Sequence, residues 1–330
     1  MENFKILSIK EEDQLTIQQK EEYYKKLREF VLQRKLTNTT PGATSIGPKL
    51  KGVTNKIAIA VTKMFSDKNV EWLCDGQENI PEGTVILAHT HQGILDGFLW
   101  IPQIDRHCLI LHGQEVNRLL LLCQLNTGLI LSKKNDKKNN NNAKLDMIRL
   151  LLEGHSISYY PEGTWNLSPN KLHLPMRYGF LDIARKTNVP IVPVVHEFTY
   201  DSTEKKEKIT RIHTRFGKPI YINCQDDITE KLREYEESIS TIRWELIEEK
   251  GLFCRKFITN QEYINFLEGN YKNLKLGKLN IKKERDNIFT ADDEFFKFHH
   301  INDVPYDENG NLLDTEEVVK IKKINKKHNI

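Results

Sequence analysis

The segment Thr84–Trp100, which reads TVILAHTHQGILDGFLW, determines the fold class. Its apolar beginning, Thr84–Ala88, predicts a short buried strand, and Ile94–Trp100 predicts the start of a helix. His91 and Asp96 lie at this junction with four residues between them. A carboxylate so placed can accept a hydrogen bond from Nδ1–H of the imidazole, which leaves Nε2 to receive a proton from a substrate hydroxyl. The pattern therefore indicates a general base with an orienting partner, although a structural His bonded to a helix-capping Asp has the same spacing.

Strand and helix patterns alternate on both sides of this junction. Strands are predicted at VILAH, HCLILHG, GLILS, SISYY, PIVPVVHEF and IHTRFGKPI. Helices are predicted at ILDGFLWIPQ, VNRLLLLCQL, KLDMIRLLLEG, GFLDIARKTN and residues 228–250, and KKNDKKNNNN is predicted to be a polar loop. This alternation predicts a layered α/β fold, in which helices flank a largely parallel sheet and catalytic loops leave the carboxyl ends of its strands.

The two ends of the chain have a different character. Residues 11–36 predict one charged amphipathic helix, residues 37–48 a loop, and KLKGVTNKIAIAVTKMF, from Lys49, a basic second helix. Each helix either covers the core or lies on a membrane surface. We therefore predict a helical N-terminal extension at 1–48, an α/β domain at 49–250 and an irregular C-terminal accessory region at 251–330.

Three further blocks follow the H-x4-D pattern: TGLILSKK from Thr127, YPEGTWN from Tyr160 and VPIVPV from Val189. In this order they resemble the four sequence blocks of the phospholipid and glycerol acyltransferase family, which includes 1-acylglycerol-3-phosphate acyltransferases. The third block is the most specific, because the family's usual form is F-P-E-G-T-R-S. LPMRYGFLDIA, from Leu174, and FGKPIYI, from Phe216, are similar to the family's basic helix start and last core strand. The resemblance covers residues 80–225.

The resemblance implies a glycerol-phosphate acyltransferase-like fold and an acyl-transfer reaction. It implies that His91 is the general base and Asp96 its partner. The acceptor hydroxyl then attacks the thioester of acyl-CoA or acyl-carrier protein, which is a co-substrate, and no cofactor or metal is implied. Glu162, Gly163 and Thr164 are expected to line the site of a lipid-like hydroxyl acceptor.

The sequence departs from the family at two basic positions. Lys133 or Lys134 stands where the second block usually ends in Arg, and Trp165 replaces the Arg of the third block. Those arginines are expected to hold the acceptor's phosphate. Lys can act as a point charge but lacks the planar fork, and Trp carries no charge. We predict that Arg177 and Lys171 compensate, or that plain lysophosphatidic acid is a poor acceptor.

Composition bounds the partners and the compartment. The net charge of +3, without a nucleic-acid motif, predicts no nucleic-acid partner. The odd number of cysteines, five, without C-x-x-C spacing, predicts free thiols in a reducing cytosol. No apolar run reaches the roughly 18 residues that a spanning helix needs. We therefore predict a cytoplasmic protein that contacts the inner face of an anionic membrane peripherally, through the helix from Lys49 and the Lys-rich VVKIKKINKKHNI.

Two other functions fit parts of the sequence. His89 and His91 would lie on one face of an extended strand, as the metal ligands of a hydrolase can, but Gly93 stands where a metallo-β-lactamase-like pattern needs Asp. The adjacent His299 and His300 lack spaced partners and predict no metal site. A catalytically silent lipid-binding protein of the same fold is the second alternative, since it could tolerate the missing arginines.

Overall fold

A computed structural model of the protein describes residues 4–93, 95–113, 127–133, 136–163, 166, 172–200 and 209–249. These residues form one sheet, in the order β1-β7-β6-β2-β5-β3-β4, in which neighbouring strands are parallel except for β6 and β7. The strands are β1 (Ser66–Asp75), β2 (Ile86–His89), β3 (Cys108–Gly113), β4 (Leu129–Ser132), β5 (Ser156–Tyr159), β6 (Ile191–Tyr200) and β7 (Ile209–Phe216). The predicted layered, largely parallel α/β fold is confirmed.

Helices cover both faces of the sheet. They are α1 (Ile9–Glu12), α2 (Ile17–Gln33), α3 (Lys51–Phe65), α4 (Asp96–Leu99), α5 (Lys137–Leu152), α6 (Gly179–Thr187) and α7 (Ile228–Glu249). Short 3-10 turns lie at Pro48–Leu50, Gln77–Asn79 and Ile101–Gln103. No helix in this described part of the chain is both long enough and apolar enough to cross a bilayer.

The central strand β2 shows why the sheet is a middle layer. Ile86 and Ala88 belong to the core cluster that α2, α5, α6 and α7 cover, whereas Val85 and Leu87 belong to the cluster beneath α3 and α4. Successive side chains of a strand point to opposite faces, so an unbroken apolar run needs helices on both sides. The run VILA therefore requires the layered fold.

The N-terminal helices pack on this core. In α2, Tyr24, Leu27 and Val31 are buried, and the helix contacts α5 and α6. In α3, Ala58 is buried against the sheet side while Met64 is exposed. Both helices thus cover the core, and a membrane contact of the outer face of α3 stays a prediction.

The predicted loop KKNDKKNNNN is wrong, because α5 already begins at Lys137. Asp136 caps this helix by accepting the N–H of Asn139 at 2.9 Å. Asn142 then receives a hydrogen bond of 3.2 Å from Arg34 of the N-terminal segment. A cap and tertiary contacts thus stabilise a helix whose composition disfavours it.

Three other boundaries differ from the predictions. The single helix over 11–36 is interrupted, because Thr16 forms a capping box with Gln19 and starts α2. The predicted strand FGKPIYI is wrong for most of its length, because β7 ends at its first residue, Phe216, and Ile220 makes an isolated bridge beyond it. β1, which was not predicted, extends the sheet beside β7. The predicted helix VNRLLLLCQL and residues 251–330, with His299 and His300, lie outside the described residues.

Candidate active site

The carboxyl ends of β2 and β5 form the site. These strands pair in parallel, with Ala88 opposite Tyr159, so the loops that follow them leave the same edge of the sheet. The β2 loop carries His91 and leads to Asp96 at the start of α4, and the β5 loop carries Glu162. The first and third sequence blocks therefore meet.

His91 and Asp96 are in hydrogen-bond contact. His91 Nδ1 lies 3.1 Å from Asp96 Oδ2, and the His91 side chain is 21% exposed while that of Asp96 is fully buried. The same oxygen accepts the backbone N–H of Gly93 at 2.9 Å and that of Gln92. An oxygen that already accepts two N–H groups acts as an acceptor, so we assign Nδ1 as the donor and Nε2 as the basic nitrogen.

Glu162 connects the two loops from beneath. Its Oε1 accepts the backbone N–H of His91 at 2.7 Å, and its Oε2 accepts that of Leu174 at 2.9 Å. Burial raises the pKa of Glu162 to about 8, although both N–H groups and the Arg243 guanidinium act in the opposite direction. The backbone of His91 is also held on its other side, because its carbonyl accepts the N–H of Asn166 at 2.5 Å.

Two further imidazoles, those of His89 and His196, lie next to each other in the core behind His91. His89 Nδ1 is 3.2 Å from His196 Nε2, and His196 Nδ1 is 2.9 Å from Thr214 Oγ1. Burial lowers the pKa of His196 to about 4 and that of His89 well below its usual range, so both rings are neutral at neutral pH. His89 faces into the core here, and among the described residues no group of three His, Cys, Asp or Glu side chains is arranged to hold a metal ion.

Tyr160 packs against this constellation. Its ring centroid lies 4.6 Å from that of His91 and 5.0 Å from that of His89. Its hydroxyl is bonded to the backbone carbonyl of Asp96 at 2.9 Å and to Trp100 Nε1 at 3.2 Å. This hydroxyl is what distinguishes the residue from the family's usual Phe.

Gly163 and Arg177 form the outer wall of the β5 loop. Gly163 has a left-handed φ of +64°, and an added Cβ would lie 3.3 Å from Nε and Cζ of Arg177. Arg177 is exposed, and its guanidinium makes no hydrogen bond or ion pair with the described residues. The structure thus brings together His91, Asp96, Glu162 and Gly163, with Arg177 beside them.

The other predicted residues are separate or outside the description. Lys133 is exposed and follows β4, which is three strand spacings from β2, or about 14 Å across the sheet. Lys134, Thr164 and Trp165 lie outside the described residues. Lys171, the second predicted compensating cation, also lies outside them.

Sequence reasoning did not identify His196 or the bridging hydroxyl of Tyr160. His196 follows VPIVPV two positions beyond Val194, the residue that pairs with His89. That shared register was the available signal, but it needs the strand order, which the local pattern does not contain. The bonds of Glu162 to Leu174 and of Arg243 to Glu197 are long-range in the same sense.

Residues 72–197 match the family model described as Acyltransferase. This segment is an acyltransferase-family domain. A comparison with curated proteins gives no match. Among solved structures, the 1-acyl-sn-glycerophosphate (LPA) acyltransferase PlsC from Thermotoga maritima is similar, at 20% identity and a TM-score of 0.45, over 61% of this chain and 79% of that chain.

The acyltransferase-family segment contains His91 and Asp96, the dyad of the site, and the described part of the third block. It runs from Trp72 in β1 to Glu197 in β6. Elements outside the match still support the site. Arg243 of α7 reaches Glu197 with a 3.1 Å ion pair and donates to the carbonyl of Leu172, next to the segment that Glu162 holds.

Proposed function

We propose that the protein is an O-acyltransferase that moves an acyl group from a thioester to a hydroxyl, with His91 as general base and Asp96 as its orienting partner. The observation that carries this is the 3.1 Å contact between a partly exposed imidazole and a fully buried carboxylate held by two backbone N–H groups. The acyltransferase match over residues 72–197 supports the reaction class.

The reaction is a direct transfer. His91 Nε2 takes the proton of the acceptor hydroxyl as its oxygen forms a bond to the thioester carbonyl carbon. The carbon–sulfur bond then breaks, and the proton passes from the imidazolium to the departing thiolate. An ester and a free thiol result. No covalent enzyme intermediate is required, because a thioester is already activated and a positioned base contributes about 10²–10⁴-fold to such a rate.

The acceptor is proposed to be a lipid-like alcohol whose charged group lies near Arg177. Gly163 leaves no side chain between the β5 loop and that guanidinium, and its backbone allows close approach of a ligand. Lys133 lies too far across the sheet to bind the same group that touches Gly163. It could reach only a distant part of an extended acceptor. With Trp165 in the place of a family Arg, a phosphate there has one cation fewer to bind it, so plain lysophosphatidic acid is proposed to be a poor acceptor that depends on Arg177.

The donor is proposed to be acyl-CoA or acyl-carrier protein, which present the same thioester. The test is to incubate the purified full chain with each donor and with phosphorylated and unphosphorylated lipid alcohols, measuring thiol release and ester by mass spectrometry. Thiol release that depends on an acceptor and matches ester formation supports the proposal. Release of free fatty acid without any acceptor would instead indicate a hydrolase, and no turnover with any pair would indicate a lipid-binding protein.

Arg177→Ala tests the acceptor side. We expect the KM for a phosphorylated acceptor to rise about tenfold or more, because a hydrogen bond to a charged group is worth about 1.5–3 kcal/mol, with little change for an unphosphorylated acceptor. Arg211→Ala is the matched control, since Arg211 of β7 forms an exposed ion pair with Glu71 of the edge strand β1, away from the central strands that carry the site. Equal loss on both acceptors would show that Arg177 does not bind phosphate.

A further inference from the structure

Tyr160 touches both members of the dyad with different parts of one side chain. Its ring lies beside the His91 imidazole, with centroids 4.6 Å apart and planes inclined by 38°. Its hydroxyl reaches the backbone carbonyl of Asp96 at 2.9 Å. Among the hydrogen bonds of the described residues, this one links the residue after β5 to the first residue of α4.

The direction of the hydrogen bonds at the Tyr160 hydroxyl is determined by its partners. Trp100 Nε1 can only donate, and it lies 3.2 Å from the Tyr160 oxygen, while Trp100 is 1% exposed. The hydroxyl therefore accepts from the indole and donates its single proton to the Asp96 carbonyl. The phenol proton thus lies on the Asp96 carbonyl, with the buried Ser158 side chain as a further neighbour of the phenol oxygen.

Helix α4 spans only Asp96–Leu99, and a carbonyl oxygen has two lone pairs, so the Asp96 carbonyl can accept the Tyr160 hydroxyl beside any backbone bond within the helix. A four-residue helix is also too short to be stable by itself. The position of its first residue, and hence of the carboxylate that contacts His91, depends on external contacts.

We propose that Tyr160 is a positioning residue of the transfer reaction: its hydroxyl fixes the start of α4, and so holds the Asp96 carboxylate at the distance at which it orients His91. The Tyr160 ring packs against the His91 imidazole and so restricts the orientation of its plane. This inference rests on the proposed function. It assigns to Tyr160 a role in catalysis without contact with either substrate.

Tyr160→Phe separates the hydroxyl from the ring. We expect kcat to fall about tenfold, the size of one neutral hydrogen bond, while the KM for donor and acceptor stays within about twofold. Tyr159→Phe is the matched control, because Tyr159 is the last residue of β5, directly before Tyr160, and packs on the opposite core cluster. Kinetics are measured below the melting temperature of every variant, so that a loss of stability does not count as a loss of rate.

A second comparison tests whether Tyr160 acts through the dyad. In a His91→Ala background, Tyr160→Phe should cause no further loss of the residual transfer, because no base remains to be oriented. The same tenfold loss in that background, or a wild-type kcat for Tyr160→Phe alone, overturns the inference. Wild-type transfer by His91→Ala alone would instead contradict the proposed function, so the two failures are distinguishable.

Discussion

At the residue scale, the site depends on buried groups that hold His91 rather than on His91 alone. Glu162 is the best example, since both of its oxygens accept backbone N–H groups and one of these belongs to His91. Its sequence position predicted contact with an acceptor, which stays a prediction. In the structure Glu162 also holds the backbone of His91, so its substitution would affect the base as well as any bound acceptor.

Glu162→Gln should change how stability depends on pH. The folded pKa of about 8 lies above the ordinary value of 4.5, so folding binds a proton between these two values. Wild-type stability therefore falls as pH rises through this window, by at most about 1.4 kcal/mol per pH unit, and the Gln variant lacks this contribution. Urea unfolding of both proteins at pH 5.5, 6.5 and 7.5 should show the advantage of wild type shrinking with pH.

The control for this measurement is Glu29→Gln, on the exposed side of α2. A difference between wild type and Glu162→Gln that is constant over the three pH values, or that grows with pH, would show that Glu162 is already ionised in the folded protein.

Only part of the site was predictable from the sequence. His91 and Asp96 were predictable because they lie in one short segment whose strand and helix fix their separation. His196 and the Tyr160 hydroxyl were not, because their contacts join segments about 60 or more residues apart. Residue type alone does not reveal which strand is the neighbour of another.

At the element scale, apolar runs identified the strands β2 to β6, and the misjudged elements were those that tertiary contacts stabilise. β1 is an edge strand with only the alternation of Val70, Trp72 and Cys74 to mark it. The Asn-rich start of α5 is helical because Asp136 caps it and Arg34 packs over it. Local propensity predicted neither element, since β1 depends on its pairing with β7 and α5 on a cap and on a contact with the distant Arg34.

Helix α3 carries the element-scale prediction of membrane contact. Val53 and Met64 are exposed on its outer side, and Lys49, Lys56 and Lys63 are exposed along or next to the helix. An exposed apolar strip flanked by Lys is the pattern of a helix that lies on an anionic bilayer. Replacing these three Lys by Gln should weaken binding to anionic vesicles about 100-fold at low salt, at about 1 kcal/mol for each Lys.

Co-sedimentation with vesicles measures this binding, and binding by wild type should also weaken as salt is added. The matched control replaces Lys10, Lys25 and Lys26, which are exposed in α1 and α2, by Gln. An equal loss in the control would indicate a general charge effect, and binding that is unaffected by either set would exclude α3 as the contact.

At the scale of the whole molecule, the N-terminal helices are tied to the sheet by a buried ion network. Glu12 of α1 is fully buried, lies 2.7 Å from Lys186 and 3.2 Å from Arg185, and accepts a hydrogen bond of 2.9 Å from Tyr24. Both cations belong to α6 and also pair with Asp182. The charges therefore balance only when α1 is docked.

Glu12→Gln should destabilise the protein strongly. It leaves a buried cation uncompensated, which costs about 3–5 kcal/mol, or a fall of about 10 °C in Tm for a domain of this size. Thermal unfolding followed by circular dichroism measures the shift, with Glu29→Gln as the control. A change of less than 2 °C would mean that the N-terminal segment is not part of the cooperative fold.

His91 is proposed to be the base of an acyl transfer, and every other proposed role at the site depends on this one. The most direct test is kcat/KM for acceptor-dependent ester formation by His91→Ala, beside His155→Ala, which removes an imidazole from the loop before β5. We predict a loss of at least about 100-fold for His91→Ala, with an unchanged Tm, and no loss for His155→Ala. Transfer by His91→Ala within a few-fold of wild type would show that His91 is not the base.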